Sequence, residues 1–259
     1  MIDAGALPPI FLTAGIPLPA VTALGGVTGA VLGSFIATLV IRWPTPAVAG
    51  RSRCDECSAP IGYARLIPLA SYGVQRGRAS CCDEPIDWLH PVSELLGLMI
   101  GLLSFSQGGW EAWPAAVLGW MLLALALFDL RHMILPGWLT GLLAFSGLAT
   151  AVIAPETLID RVAGLACGYA ALAAIGFIYR RLRNRTGLGG GDIKLFAAIG
   201  AWLGWQNLPL LLLLSGALGL LSAIIMQMSG YEVKATTRLP LGTLMAAAAW
   251  PLYLIARPY

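Results

Sequence analysis

The sequence predicts an all-α polytopic membrane protein of about eight transmembrane helices, with a small cytoplasmic cysteine-rich loop subdomain after the first helix. Three observations carry this reading. Of 259 residues, 58% are hydrophobic and only 11% charged, where a soluble domain usually carries about 25% charge. The apolar residues come in long uninterrupted runs. The basic residues fall on one side once those runs are counted.

In order, the apolar runs lie at 21–41, 92–106, 112–128, 138–153, 159–179, 193–203, 208–228 and 242–255. A full crossing takes roughly 20 residues, and several runs fall short, the sixth most of all. With eight crossings the loops alternate sides. The loops after the first, third, fifth and seventh then hold Arg42, Arg51, Arg53, Arg65, Arg76, Arg78, Arg131, Arg180, Arg181, Arg183, Arg185, Lys194, Lys234 and Arg238. The opposite face holds only Arg161 and Arg257, so 14 of 16 basic residues share one face. Loops rich in Lys and Arg stay in the cytoplasm, which places both termini on the periplasmic side. The first run is too long and too late for a cleaved signal segment. Membrane topology and anionic headgroups account for the net charge of +3, so membrane lipids are expected partners and nucleic acid is not. No internal repeat or low-complexity tract stands out. The chain divides as 1–41, a first membrane segment; 42–91, a polar cytoplasmic region holding four of the five cysteines; and 92–259, the remaining membrane spans.

Two acidic residues lie at the cytoplasmic ends of the C-terminal spans. Asp129 ends the third, in "LALALFDLRHMILPGWLT", and Asp192 begins the sixth, in "GLGGGDIKLF". An ionisable group at membrane depth is costly and marks a functional site. Two carboxylates close together cannot both ionise easily, so such a pair holds one proton near neutral pH. That suits peptide hydrolysis: the ionised member takes a proton from water and the protonated one polarises the scissile carbonyl. Glycines beside Asp192 give access to backbone angles closed to other residues and let a substrate backbone come near. The structural alternative is that Asp192 caps a helix starting at Ile193 and that Asp129 pairs with Arg131 or His132. A different class of function, a proton-coupled transporter or channel, would use Asp129 and Asp192 as an ion relay.

"CDEC" puts Cys54 and Cys57 at metal-knuckle spacing, and the vicinal pair Cys81 and Cys82 follows further along the same loop. Cytoplasmic thiols stay reduced. Four thiolates can hold a zinc ion tetrahedrally and staple a subdomain with little core of its own. Cys54 and Cys57 are the regular half. In the second half Cys81 is the first choice for the fourth ligand beside Cys82, with Asp83 or His90 as substitutes. Cys167 is expected to be a packing residue.

Four segments in this order resemble the type IV prepilin (leader) peptidases, a family of GxGD-type intramembrane aspartyl proteases. "GLGGGDIKL" resembles their glycine–aspartate loop and "FDLRHMILPGWLT" their other catalytic segment. "GSFIATLVIRWP" resembles the end of their first span, and the stretch from "RCDECSAPI" to "DWLHPVSEL" their cytoplasmic cysteine loop. The resemblance covers nearly the whole chain. It implies Asp129 and Asp192 as the catalytic pair, with Gly189, Gly191 and Lys194 supporting the loop and substrate. It implies cleavage of a basic leader from type IV prepilins or type II secretion pseudopilins at the cytoplasmic face of the bacterial inner membrane. It also implies methylation of the new N-terminus with S-adenosylmethionine, in which Glu94 matches a family glutamate. The family's third metal-loop cysteine aligns with Ala79. Ala37 stands where the family has asparagine, and Gly137 and Arg131 where it often has further aspartates. The oligomeric state is left open, a homo-oligomer included.

Overall fold

The computed structural model describes residues 17–44, 52–106, 108–109, 111–152, 154–184, 187–231 and 239–256. Arg51, Ile153, Arg185, Lys234, Arg238 and Arg257, used in the span and charge count, lie outside the described residues. Nine α-helices run through the described residues: α1 Leu18–Ile41, α2 Ala70–Val74, α3 Leu89–Phe105, α4 Ala112–His132, α5 Gly137–Ala149, α6 Leu158–Arg183, α7 Gly190–Leu203, α8 Leu208–Met228 and α9 Leu241–Ala256. A helix occupies each of the eight apolar intervals. Among the described residues, four segments are long and apolar enough to cross a membrane: Leu18–Ile41, Ala112–His132, Leu158–Arg183 and Trp205–Met228. The other helices are shorter. α2 and the turn of 3-10 helix at Tyr63–Leu66 fall inside the polar loop, where no apolar run marks them.

The chain forms two compact units, Met1–Ala124 and Leu125–Tyr259, with α4 running from one into the other. In the first unit α1 lies against α3 at glycine. A Cβ on Gly29 would collide with the Gly97 carbonyl, and one on Gly97 with the Gly29 carbonyl. Small residues allow such close approach of apolar helices where lipid gives no hydrophobic drive. The Trp120 Nε1–H adds a bond to the Gly97 carbonyl at 3.1 Å.

In the second unit α7 is the centre. Every residue from Leu195 to Leu203 is buried. α5 and α6 pack on it, with Trp202 fully enclosed and set edge-on to Tyr253 of α9 at 5.7 Å. α6 and α8 bury little of themselves and leave Ile175, Phe177, Leu213 and Leu220 exposed. Apolar side chains exposed along helices of this length suit contact with lipid tails.

The cysteine loop belongs to the first unit and contains a repeat, which corrects the expectation that the chain has none. "RCDECSAPI" and "RASCCDEPI" fold alike, 25 positions apart. The Cys54 N–H donates to the Ala59 carbonyl at 2.9 Å, and the Ala79 N–H to the Glu84 carbonyl at 2.8 Å. The Ser58 N–H returns to the Cys54 carbonyl at 3.0 Å, and the Asp83 N–H to the Ala79 carbonyl at 2.7 Å. Ser58 and Asp83 both take left-handed backbone, φ 58° and 61°. Isolated bridges Arg53–Pro60 and Arg78–Pro85 close the two turns. In sequence the two stretches share only an arginine, a cysteine and a closing proline–isoleucine pair, too little to register as a repeat.

Candidate functional site

Asp129 stands in the last turn of α4. That helix stops because Met133 turns left-handed at φ 53°, its N–H returning to the Asp129 carbonyl at 2.8 Å. The Asp129 side chain is buried. Its Oδ2 accepts the backbone N–H of Thr243 at 2.8 Å, in the first turn of α9. The Thr243 hydroxyl donates to the Ala126 carbonyl at 2.9 Å and lies 3.3 Å from the same Oδ2. The first N–H groups of a helix have no partner within it, so Asp129 caps α9 from another element. Gly242 makes room: a Cβ there would sit 2.9 Å from Asp129 Oδ2 and 3.1 Å from Leu135 Cδ1.

Asp192 lies in the first turn of α7, which begins at Gly190 rather than at Ile193. Its carboxylate accepts the Gly189 backbone N–H, so it caps its own helix from the third position, the reach-back half of a capping box. The glycine loop corrects one expectation. None of Gly187, Gly189, Gly190 and Gly191 has positive φ, and Gly189 is extended at φ −72°, ψ 142°. These glycines supply space instead. A Cβ on Gly189 would meet Asp192 Oδ2 at 2.9 Å, and one on Gly191 would meet Leu135 Cβ at 3.1 Å. Leu135 thus packs on both Gly191 and Gly242, linking the two aspartate segments. Lys194 is exposed, and among the described residues it makes no ion pair.

Thr243 and Gly242 were missed in the sequence. They sit in "LPLGTLM", a short polar step at the start of an apolar run, which marks a helix start but gives no hint of a partner 114 residues earlier.

In the other unit the Sγ atoms of Cys54, Cys57, Cys81 and Cys82 all lie within 4.8 Å of one another. Cys54 to Cys82 is 3.8 Å, Cys57 to Cys81 3.3 Å and Cys81 to Cys82 3.9 Å. Zinc–sulfur bonds of about 2.3 Å in a tetrahedron put sulfurs roughly 3.8 Å apart, so the cluster has the size for one ion. The repeat explains how vicinal cysteines both reach it. Ala79 occupies the position of Cys54, and the tight turn at Asp83 brings Cys81 round in its place. His90 and Asp83 are engaged elsewhere: His90 Nε2 is 3.6 Å from Asp55 Oδ2, and Arg78 Nη1 is 3.5 Å from Asp83 Oδ2. Asp55, between the first two cysteines, also takes Arg42 Nε at 3.0 Å. Its bonds to His90 and then Arg42 hold its carboxyl below the ordinary value. The knuckle is thereby moored to the ends of α1 and α3.

Glu94, buried in the first turns of α3, accepts the Leu69 N–H at 2.8 Å. Leu69 is held at φ 60° just before α2. Among the described residues no basic side chain pairs with Glu94. Ala37, further along α1, is fully buried.

Comparison with known proteins decides the family. The type IV leader peptidase family matches residues 116–224, and the bacterial peptidase A24 N-terminal domain matches residues 27–107. A prepilin leader peptidase/N-methyltransferase of Aeromonas hydrophila is 37% identical over 212 residues, covering 80% of this chain and 72% of the relative. The chain belongs to the type IV leader peptidase family. Proteins of the same description from Pseudomonas aeruginosa and Neisseria gonorrhoeae are 34% and 31% identical. They cover 78% and 82% of this chain, and 71% and 84% of their own lengths. No solved structure matches. The match of 116–224 takes in both Asp129 and Asp192, and that of 27–107 takes in the cysteine cluster and Glu94. The ion-relay alternative draws no support from these relatives.

Proposed function

We propose that this chain removes the basic leader from type IV prepilins or type II secretion pseudopilins, and methylates the new N-terminus. The observation that carries the peptidase reading is that Asp129 and Asp192 belong to one compact unit, on segments that both pack against Leu135. Family membership supports it.

In this mechanism one aspartate is ionised and the other protonated. The ionised carboxylate takes a proton from water as the oxygen attacks the scissile carbonyl. The protonated carboxyl donates to the carbonyl oxygen as negative charge develops there. On collapse of the tetrahedral species the proton passes to the leaving amine, and the pair returns to its starting state. Thr243 and Gly189 hold the two side chains in place through backbone amides, so little reorganisation accompanies the chemistry. The glycines at 189 and 191 leave room for the Asp192 carboxylate and for Leu135, and Lys194 borders the loop. The topology that fits has eight crossings in the inner membrane, both termini periplasmic, and the aspartates and cysteine loop at the cytoplasmic face. A basic leader then stays inside while its apolar segment lies among the helices.

The residues of 42–91 fit a structural zinc ion, held by Cys54, Cys57, Cys81 and Cys82; the metal would staple the loop and takes no part in cleavage. Glu94 fits the methylation role in charge. It is a buried carboxylate without a basic partner among the described residues, suited to the sulfonium of S-adenosylmethionine or to the new ammonium of the pilin. S-adenosylmethionine, when bound, supplies the methyl group. The test is incubation of purified protein with a prepilin in detergent, with and without S-adenosylmethionine, and mass spectrometry of the product. Expected are leader loss and a gain of one methyl. An intact substrate would refute the peptidase reading.

A further inference from the structure

The helix that carries Asp192 ends early. Its 14 residues span roughly 21 Å, against about 30 Å of hydrocarbon. The last four carbonyls of a helix lack partners within it, and away from water each must be satisfied by other groups. In α7 all four are satisfied. The Gly200 carbonyl accepts the Gly204 N–H at 2.9 Å, and the Leu203 carbonyl accepts Asn207 Nδ2 at 2.7 Å. Arg161 supplies the other two: its Nη1 donates to the Ala201 carbonyl at 3.4 Å and to the Trp202 carbonyl at 3.2 Å.

The same Nη1 also reaches the Gly147 carbonyl in the last turn of α5 at 3.3 Å, and Arg161 Nε donates to Thr157 Oγ1 at 2.7 Å. Arg161 is 1% exposed, so these carbonyls stand where water would otherwise hydrate it. A positive charge against two helix C-termini is well placed for both dipoles. Trp202 adds a tie from the same turn, its Nε1–H bonding the Leu143 carbonyl at 2.8 Å. α7 runs as one unbroken helix from its first turn to this clamp, so any slip at one end appears at the other.

We propose that Arg161 is a positioning residue for the peptidase site. By capping the C-terminal ends of α5 and α7 together, it fixes the axial register of α7 and so the placement of Asp192 against Asp129. This rests on the reading of Asp192 as catalytic. A slip of one residue moves a helix by about 1.5 Å, and a misplacement of about 1 Å can cost about 100-fold in rate. Arg161 touches neither aspartate and acts only through the helix.

The test uses purified full-length parent, Arg161→Gln, Arg161→Lys and Asp192→Asn, with a synthetic prepilin peptide. Folded protein is quantified by size exclusion and circular dichroism, and kcat and KM are measured separately. Arg161→Gln is expected to lose at least about ten-fold in kcat with KM little changed. Arg161→Lys, which keeps the charge but not the fork, is expected to recover part of that loss. Parental kcat in folded Arg161→Gln, or a change in KM alone, overturns the proposal. If Arg161→Gln does not accumulate, Arg161→Lys decides. A lowered kcat at unchanged KM supports the proposal. Parental kcat, or failure of both variants to accumulate, overturns it and leaves Arg161 a folding residue. Asp192→Asn with the parental rate would instead sink the catalytic reading itself.

Discussion

The backbone N–H of Thr243 donates to Asp129 Oδ2 at 2.8 Å, across 114 residues of sequence. The last helix therefore delivers its unpaired N-terminal amides to a carboxylate on α4. The Thr243 hydroxyl strengthens the tie by holding the Ala126 carbonyl, in the turn before Asp129, at 2.9 Å. Thr243→Val keeps the amide and the shape but loses the hydroxyl. A neutral side-chain hydrogen bond is worth about 0.5–1.5 kcal/mol, so kcat should fall by roughly two- to ten-fold. Gly242→Ala should cost more, because its Cβ would press on the carboxylate itself. Steady-state cleavage by folded protein checks both, and unchanged rates would show that α9 has no part in the site.

Metal uptake by the cysteine cluster should depend on pH. The Cys54 thiol is lowered to about 7, chiefly by the Cys57 backbone N–H. Cys81 is pushed up to about 12, chiefly by its hydrogen bond to Cys57. A depressed thiol is ionised above its pKa, so the contribution of Cys54 is lost as pH falls through about 7. Cys81 keeps its proton until a metal displaces it. Zinc affinity should therefore drop between about pH 8 and about pH 6, and uptake should release protons. Calorimetry in two buffers of different ionisation enthalpy reads the release; uptake without it contradicts four-thiolate binding.

Removing one metal ligand should separate the two proposed activities. Cys57→Ser should lose methylation more completely than cleavage, because the aspartates belong to the other compact unit of the chain. Product mass and cleavage rate are read on one substrate. Equal loss of both in a folded protein would mean that the cysteine loop is part of the peptidase site. Cys54→Ser and Cys81→Ser should both lower zinc content in metal analysis, since the four sulfurs form one cluster.

Glu94→Gln tests the methylation role. Glutamine can still accept the Leu69 N–H through its carbonyl oxygen, so the mooring of α2 survives while the buried charge is lost. Cleavage should continue near the parental rate, with the product mass lacking the methyl group. Normal methylation by this variant would remove Glu94 from the site.

Much of this was legible in the sequence. The eight helices follow from runs of apolar residues, whose signal is local and strong. Asp129 and Asp192 stand out because carboxylates are rare in such runs. The four cysteines announce a cluster, although the way Cys81 replaces Ala79 emerges only from the folded repeat. Arg161 reads as one of two basic residues against the charge segregation; its burial between helix ends explains why it can lie there. What could not be read was the set of contacts between distant segments. Thr243 with Asp129, and Leu135 with Gly191 and Gly242, are products of packing and leave no periodic trace. The glycine loop suggests special backbone angles, but the folded chain uses the missing side chains for clearance.

Cleavage by the two asparagine variants tests the central claim most directly. An asparagine at either position could still accept the Thr243 or Gly189 amide through its side-chain carbonyl oxygen, so Asp129→Asn and Asp192→Asn should fold and accumulate in the membrane. Neither substituted side chain could exchange a proton with water or the scissile carbonyl. The measurement is the rate of leader removal from a prepilin by each purified variant beside the parent. The account predicts loss by several powers of ten in both, as is usual when a catalytic group is removed. Substantial cleavage by either folded variant would contradict it.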